Sequence, residues 1–156
     1  MIILGIDPGT AIIGYGIIEK LSDKLKVIEY GCITTKTEYS TAERLDQLDQ
    51  ELIKLIKKHK PDKMAVEDIF FFKNLKTVIK VSQARGVILM RGARIKIPIF
   101  EYTPLQVKQA VTSYGRADKK QVQEMVKLLL KLKEIPKPDD AADALAIAIC
   151  CAHSTI

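Results

Sequence analysis

Apolar residues run almost unbroken from Ile2 to Ile6 and stop at Asp7-Pro8-Gly9-Thr10, a buried strand entering a turn. Tyr15-Gly16-Ile17-Ile18 returns as a second strand, close enough to form a hairpin. A polar turn at Ser22-Asp23-Lys24 precedes a third strand over residues 27–33. Ser40-Thr41-Ala42-Glu43 has the form of a capping box, with Ser40 as N-cap. The helix it opens carries Leu45, Leu48, Leu52, Leu55 and Ile56 on one side and stops at Pro61-Asp62. Lys63-Met64-Ala65-Val66-Glu67 reads as a fourth short strand, again ending in acids. A Phe-rich loop over residues 69–74 leads to a helix over 75–94, then a fifth strand over 97–102. Thr103 and Pro104 suit the N-cap and first position of the next helix. Gly115-Arg116-Ala117-Asp118 breaks to a helix over about 119–132, and Pro136 and Pro138 lead stiffly into a final apolar helix.

Three strands followed by helices alternating with two more strands predict an α/β fold, a mixed sheet with helices on its faces. The 156 residues are long enough for one domain, 1–156, with a sizeable core. No apolar run approaches the roughly 18–20 residues that span a bilayer. The N-terminus has no basic region before its apolar run, so it reads as a strand rather than a signal peptide. Cys32, Cys150 and Cys151 have no metal-ligand spacing and read as free, buried thiols in a reducing cytoplasm.

The formal net charge is +6, and its distribution says more than its size. From Ile69 to Phe100 there is no acid, yet there are seven basic residues: Lys73, Lys76, Lys80, Arg85, Arg91, Arg94 and Lys96. On a helix over 75–94, Lys76, Lys80, Arg91 and Arg94 fall within an arc of about 60°, with Lys73 just before. Solvated helix faces usually mix signs, so this one-signed arc points to an anionic partner. The far side carries Leu75, Ile79, Ser82, Gly86, Leu89 and Ala93, where the small residues permit a partner helix to approach or ordinary packing on the sheet.

The final helix poses the chemical question. Asp140 and Asp143 lie on an almost wholly apolar stretch, and no Lys or Arg follows Lys137. Their i, i+3 spacing puts both on one face, with β-carbons roughly 5–6 Å apart. Buried carboxylates need a compensating charge, and a divalent cation supplies one. Asp7 and Glu67 end the first and fourth strands, where functional groups of α/β sheets gather. Taken singly, Asp7 suits a turn, Glu67 suits a lysine pair, and Asp139 or Asp140 suits a cap; Asp143, a turn inside the helix, is hardest to explain structurally. Together, four carboxylates suit Mg²⁺ or Mn²⁺. Two such ions, about 3.5–4 Å apart, can clamp the attacking and leaving oxygens of a phosphodiester displacement.

The segments Gly5-Ile6-Asp7-Pro8-Gly9-Thr10, Val66-Glu67-Asp68-Ile69-Phe70, Gln83-Ala84-Arg85-Gly86-Val87, Gln106-Val107-Lys108-Gln109 and Asp140-Ala141-Ala142-Asp143-Ala144-Leu145-Ala146 resemble the RuvC family of Holliday junction resolvases. The resemblance runs from Ile2 to about Ala152. It implies a ribonuclease-H-like fold, a five-stranded mixed sheet flanked by helices with the first three strands antiparallel. It implies a Mg²⁺-dependent endodeoxyribonuclease, with Mn²⁺ able to substitute, acting as a two-fold homodimer that nicks two opposed strands of a four-way DNA junction. The RuvA and RuvB branch-migration proteins are further partners it implies. The family's catalytic carboxylates carry over onto Asp7, Glu67, Asp140 and Asp143, and Asp139 is left out because its position need not be acidic. Lys108 and Lys119 match basic positions near the active site and would stabilise charge or position phosphates. Phe70 matches an aromatic position linked to junction DNA. Phe71 and Phe72 extend the ring run, which suits stacking on unpaired bases. Lys73 and Asn74 fit the loop pattern, and Lys76 and Lys80 extend the expected DNA surface.

Three other readings compete. Another ribonuclease-H-like nuclease acting on RNA would share the acids. Asp7-Pro8-Gly9-Thr10 also resembles the first phosphate loop of actin-like ATPases, but those need two such domains. A silent DNA-binding module would not need four acids.

Overall fold

The computed structural model describes residues 1–9, 11–69 and 75–154. The chain order is β1 (Ile2–Asp7), β2 (Ile12–Leu21), β3 (Lys24–Thr34), α1 (Thr41–His59), β4 (Lys63–Glu67), α2 (Leu75–Arg94), β5 (Ile99–Tyr102), α3 (Pro104–Thr112), α4 (Lys119–Leu129) and α5 (Asp139–Ser154). The strands form one sheet in the order β3-β2-β1-β4-β5. β2 runs antiparallel to both of its neighbours, β1 and β3, whereas β4 runs parallel to β1 and to β5. This is the mixed α/β sheet the pattern predicts.

β2 and β3 are longer than their apolar cores suggest. Both run into a two-residue turn where Ser22 adopts φ 48°, so pairing continues through polar residues to Leu21↔Lys24. β5 is shorter than predicted: Ile97 donates instead to the Gly92 carbonyl in the turn that closes α2.

Strand alternation divides the core in two. Leu4, Ile6, Ile13, Ile17, Met64 and Val66 face α1 and α2, meeting Leu48, Leu52, Ala84 and Ile88. Ile3, Ile18, Ala65 and Tyr102 face the opposite layer, where α5 packs with α3 and α4. α5 is buried from Ala144 through Ala152, as its composition requires.

Glycine lets α5 lie directly on the sheet. A methyl group on Gly5 would overlap the Ala144 carbonyl, and one on Gly14 would overlap the Asp140 carbonyl. Gly14 is also the register partner of Asp7. The close approach therefore brings the start of α5 beside the end of β1.

Candidate active site

Asp7 and Glu67 are the last residues of β1 and β4, adjacent parallel strands. The alternation that buries Ile6 and Val66 under α2 turns Asp7 and Glu67 to the α5 side. Asp7, Glu67 and Asp143 line a cleft of about 250 Å³, with Lys108 of α3 and Lys119 of α4. Pro104, Val107, Val122 and Ala146 form its apolar remainder. Asp140, a turn earlier on α5, does not line this cleft, but its charge bears on Asp7 and Asp143.

Helix caps place the two lysines. Thr103 accepts from the Gln106 N–H while Gln106 accepts from the Thr103 N–H, starting α3 so that Lys108 falls one turn in. Asp118 and Gln121 form the same reciprocal box at α4, immediately before Lys119. The Lys119 ammonium lies 3.2 Å from Asp143 and 3.2 Å from Asp139. α5 has no Lys or Arg to compensate Asp143, but α4 lends it a lysine as well as leaving room for a cation. Among the described residues, no three acidic, histidine or cysteine side chains are already gathered tightly enough to hold one ion.

The lysine does not satisfy the whole cluster. Burial, then the charges of Glu67, Asp143 and Asp140, push the Asp7 carboxyl up to about 8, against Lys119. Burial, then Asp143, push Glu67 up to about 7, against Lys108. Asp143 is also raised, by burial first, with Lys119 opposing and Asp139 and Asp140 adding. Burial works against the charge on Lys119, but Asp143 and then Asp139 outweigh it and hold its ammonium above the ordinary lysine range. Asp139 differs from the others: it is exposed, and Lys119 keeps its carboxyl below the usual range. Perturbed carboxylates converging in a cleft mark a functional site.

Oxygen donors in excess of local positive charge fit a hard divalent cation. The nearest thiol does not join them. Cys32 is half-buried rather than buried, and burial followed by Asp140 and Asp7 raises its pKa, leaving a protonated thiol.

The basic helix needs a larger correction. Arg91 faces α1, where its Nε donates to Asp49 at 2.7 Å and its Nη2 pairs with the second carboxylate oxygen. Arg85 is bound by acids at the ends of β4 and β5. Arg91 therefore leaves the predicted cationic arc, and both arginines found acids on neighbouring elements that sequence spacing does not reveal. Lys80 and Arg94 remain exposed. Phe70, Phe71, Phe72, Lys73 and Asn74, and the Lys76 side chain, lie outside the described residues.

Comparison with known proteins decides the family. The family model for crossover junction endodeoxyribonuclease RuvC matches residues 3–151. The chain belongs to the RuvC family. The crossover junction endodeoxyribonuclease RuvC of Halothermothrix orenii is 58% identical over 154 residues, covering 99% of this chain and 93% of that one. That of Desulforamulus reducens is 59% identical over 153 residues, covering 98% and 94%. Thermus thermophilus RuvC, solved in complex with Holliday junction substrate, superposes with a TM-score of 0.93 at 34% identity, covering 99% of this chain and 94% of that one. The fold is thus ribonuclease-H-like, and the activity that of a nuclease of this family.

Proposed function

We propose that this chain resolves four-way DNA junctions by symmetric nicks in two opposed strands, with Asp7, Glu67, Asp140 and Asp143 holding Mg²⁺. The convergence of strand-end and helix carboxylates in one lysine-flanked cleft is the observation that carries this reading. Mn²⁺ offers the same hard-oxygen preference and should substitute. When bound, the divalent ions would supply Lewis-acid stabilisation of the oxygens exchanged at phosphorus.

The side chains divide the remaining work. Asp7 and Glu67, raised to about 8 and about 7, retain protons near neutrality until a cation compensates them. Lys108 stands against Glu67, and Lys119 against Asp143, so both ammonium groups border the place where a phosphate would enter. There they would position phosphate oxygens and offset developing charge. The apolar wall of Val107, Val122 and Ala146 limits water around these charges. The products would carry a 5′ phosphate and a 3′ hydroxyl.

One cleft per chain serves one strand, so paired nicking requires two chains. The outer face of α2 suits that interface: Ile79 is 59% exposed, Met90 41% exposed, and nothing lies within 4 Å of where a Gly86 side chain would begin. Ser82, also exposed, lies between them. Ala84 and Ile88 are buried in the sheet core and Leu89 packs partly against it, so Ile79, Ser82 and Gly86 are the part of this face left for a partner. The proposal includes a homodimer, one nuclease domain over residues 1–156, and a cytoplasmic location. Partnership with RuvA and RuvB rests on family resemblance. Among the described residues no helix is long and apolar enough to cross a membrane. DNA contacts by Phe70, Phe71, Phe72, Lys73, Asn74, Lys76 and Lys80 are proposed from the sequence.

The test offers a synthetic four-way junction, a linear duplex and an RNA–DNA hybrid, each with and without Mg²⁺. Paired nicks confined to the junction and requiring the ion are expected. Preferential cutting of the hybrid would assign the site to RNA chemistry instead.

A further inference from the structure

We propose that Arg85 is a positioning residue for Glu67, acting from α2 through the sheet. The inference rests on the assignment of Glu67 to the metal-holding set. Arg85 Nη2 lies 2.9 Å from the Asp68 carboxylate and pairs with the Glu101 carboxylate as well. Its Nε donates to the Glu67 backbone carbonyl at 3.4 Å. The side chain is only 18% exposed. One guanidinium therefore grips the end of β4, the side chain that follows it, and the neighbouring strand β5.

The place where this grip falls gives it consequence. β4 ends at Glu67, and the last backbone bond joining it to β5 is Asp68 N–H to the Tyr102 carbonyl at 2.8 Å. Asp68 and Ile69 already lie outside the strand. A short strand end of this kind frays unless something closes it. Glu101 is the register partner of Val66 and Tyr102 that of Glu67. Alternation turns Asp68 and Glu101 toward α2 and Glu67 toward the cleft. Arg85 thus holds, from one side, the backbone whose carboxylate acts on the other.

The pairing is also hard to replace. The guanidinium fork reaches two carboxylates and a carbonyl together, which a lysine cannot reproduce. Removing it takes from Asp68 and Glu101 the cation they share among the described residues, and from the Glu67 carbonyl its donor. The end of β4 then loses a side-chain tie to β5 next to Glu67.

The test uses the full-length protein and compares Arg85→Gln, Arg85→Lys, Glu101→Gln and Glu67→Gln with the wild type. Mn²⁺ affinity is measured by calorimetry without DNA, junction affinity without divalent ion, and single-turnover cleavage against Mg²⁺ concentration. Thermal melting is followed in parallel. Arg85→Gln should weaken Mn²⁺ binding and raise the half-saturating Mg²⁺ concentration, each by about 10- to 100-fold, as loss of a ligand's supporting partner does. Junction affinity should stay near the wild-type value, and Arg85→Lys should recover part of the loss. Glu101→Gln, which removes one arm and leaves the arginine in place, should shift Mn²⁺ affinity in the same direction by less. It carries the test if Arg85→Gln does not fold. Folded Arg85→Gln with wild-type Mn²⁺ affinity and Mg²⁺ dependence would overturn the proposal, as would lowered melting with unchanged metal binding. If Arg85→Gln fails to fold, wild-type metal binding by Glu101→Gln overturns it. Wild-type Mn²⁺ binding by Glu67→Gln would instead overturn the assignment of Glu67 on which it rests.

Discussion

The adjacent acids Asp139 and Asp140 show how a single position decides chemistry at the residue scale. Asp139 is exposed and shares Lys119 with Asp143, whereas Asp140 lies half-buried beside the Gly14–Asp7 register pair. Asp139→Asn should therefore cleave junctions within a few-fold of wild type, because solvent screens an exposed ion pair. Asp143→Asn should abolish cleavage while leaving junction binding in place. A gel assay reading bound and nicked DNA together checks both, and efficient nicking by Asp143→Asn would remove it from the site. The raised carboxyls give a second prediction. Asp7 and Glu67 have folded values of about 8 and about 7, above their ordinary 3.8 and 4.5. As pH rises through that window the unfolded chain releases protons that the folded chain retains, so metal-free stability should fall. Mg²⁺ should counter the fall, because it takes the place of those protons. Thermal melting at pH 5 and pH 8.5 should show Mg²⁺ raising the midpoint by at least about 5 °C more at the higher pH, where one kcal/mol is worth about 2–4 °C for a chain of this size. An equal Mg²⁺ effect at both pH values would contradict the shared carboxylate cluster.

Among the elements, α5 was the most legible and α2 the least. A helix with no Lys or Arg and a nearly all-apolar surface is buried whatever surrounds it, and Asp140 and Asp143 must face something. What the pattern does not convey is how closely it docks, because glycines at 5, 14 and 16 gain meaning only when the register of β1 and β2 is known. Gly14→Ala should push α5 outward at Asp140, costing about 1–3 kcal/mol as overpacking does. Cleavage should fall more than junction binding, and an unchanged melting point with full cleavage would show that the contact is not needed. On α2 the arc of basic residues was visible, but ownership of the charges was not. Arg91 belongs to Asp49 of α1, and Arg85 to Asp68 and Glu101, pairings separated by 42, 17 and 16 positions along the chain. Lys119 illustrates the same limit. Family resemblance pointed to it, but its bridge between Asp139 and Asp143 depends on how α4 packs beside α5. The caps at Ser40 and Thr103 were legible because their chemistry is local.

At the scale of the whole molecule, the sheet sets the cleft and the exposed face of α2 on different sides. That separation suits a two-fold dimer that presents two clefts to one junction. Light scattering at micromolar concentration should report about twice the 17.5 kDa chain mass. Gly86→Leu should lower that mass and impair paired nicking without lowering the melting point of the separated subunit, since its side chain enters open space. A wild-type dimer in that variant would move the interface elsewhere. The central claim is that strand-end and helix carboxylates form one metal-dependent cleavage site, and within it burial and neighbouring acids raise Asp7 further than Glu67. The most direct measurement is single-turnover junction cleavage by wild type and Asp7→Asn, with protein and Mg²⁺ saturating and bound DNA counted in the same reaction. The account predicts fully bound junction and a cleavage rate lower by at least about 10²–10³-fold, the scale for loss of a group that stabilises reaction charge. Fully bound junction cut at a near-wild-type rate would contradict it.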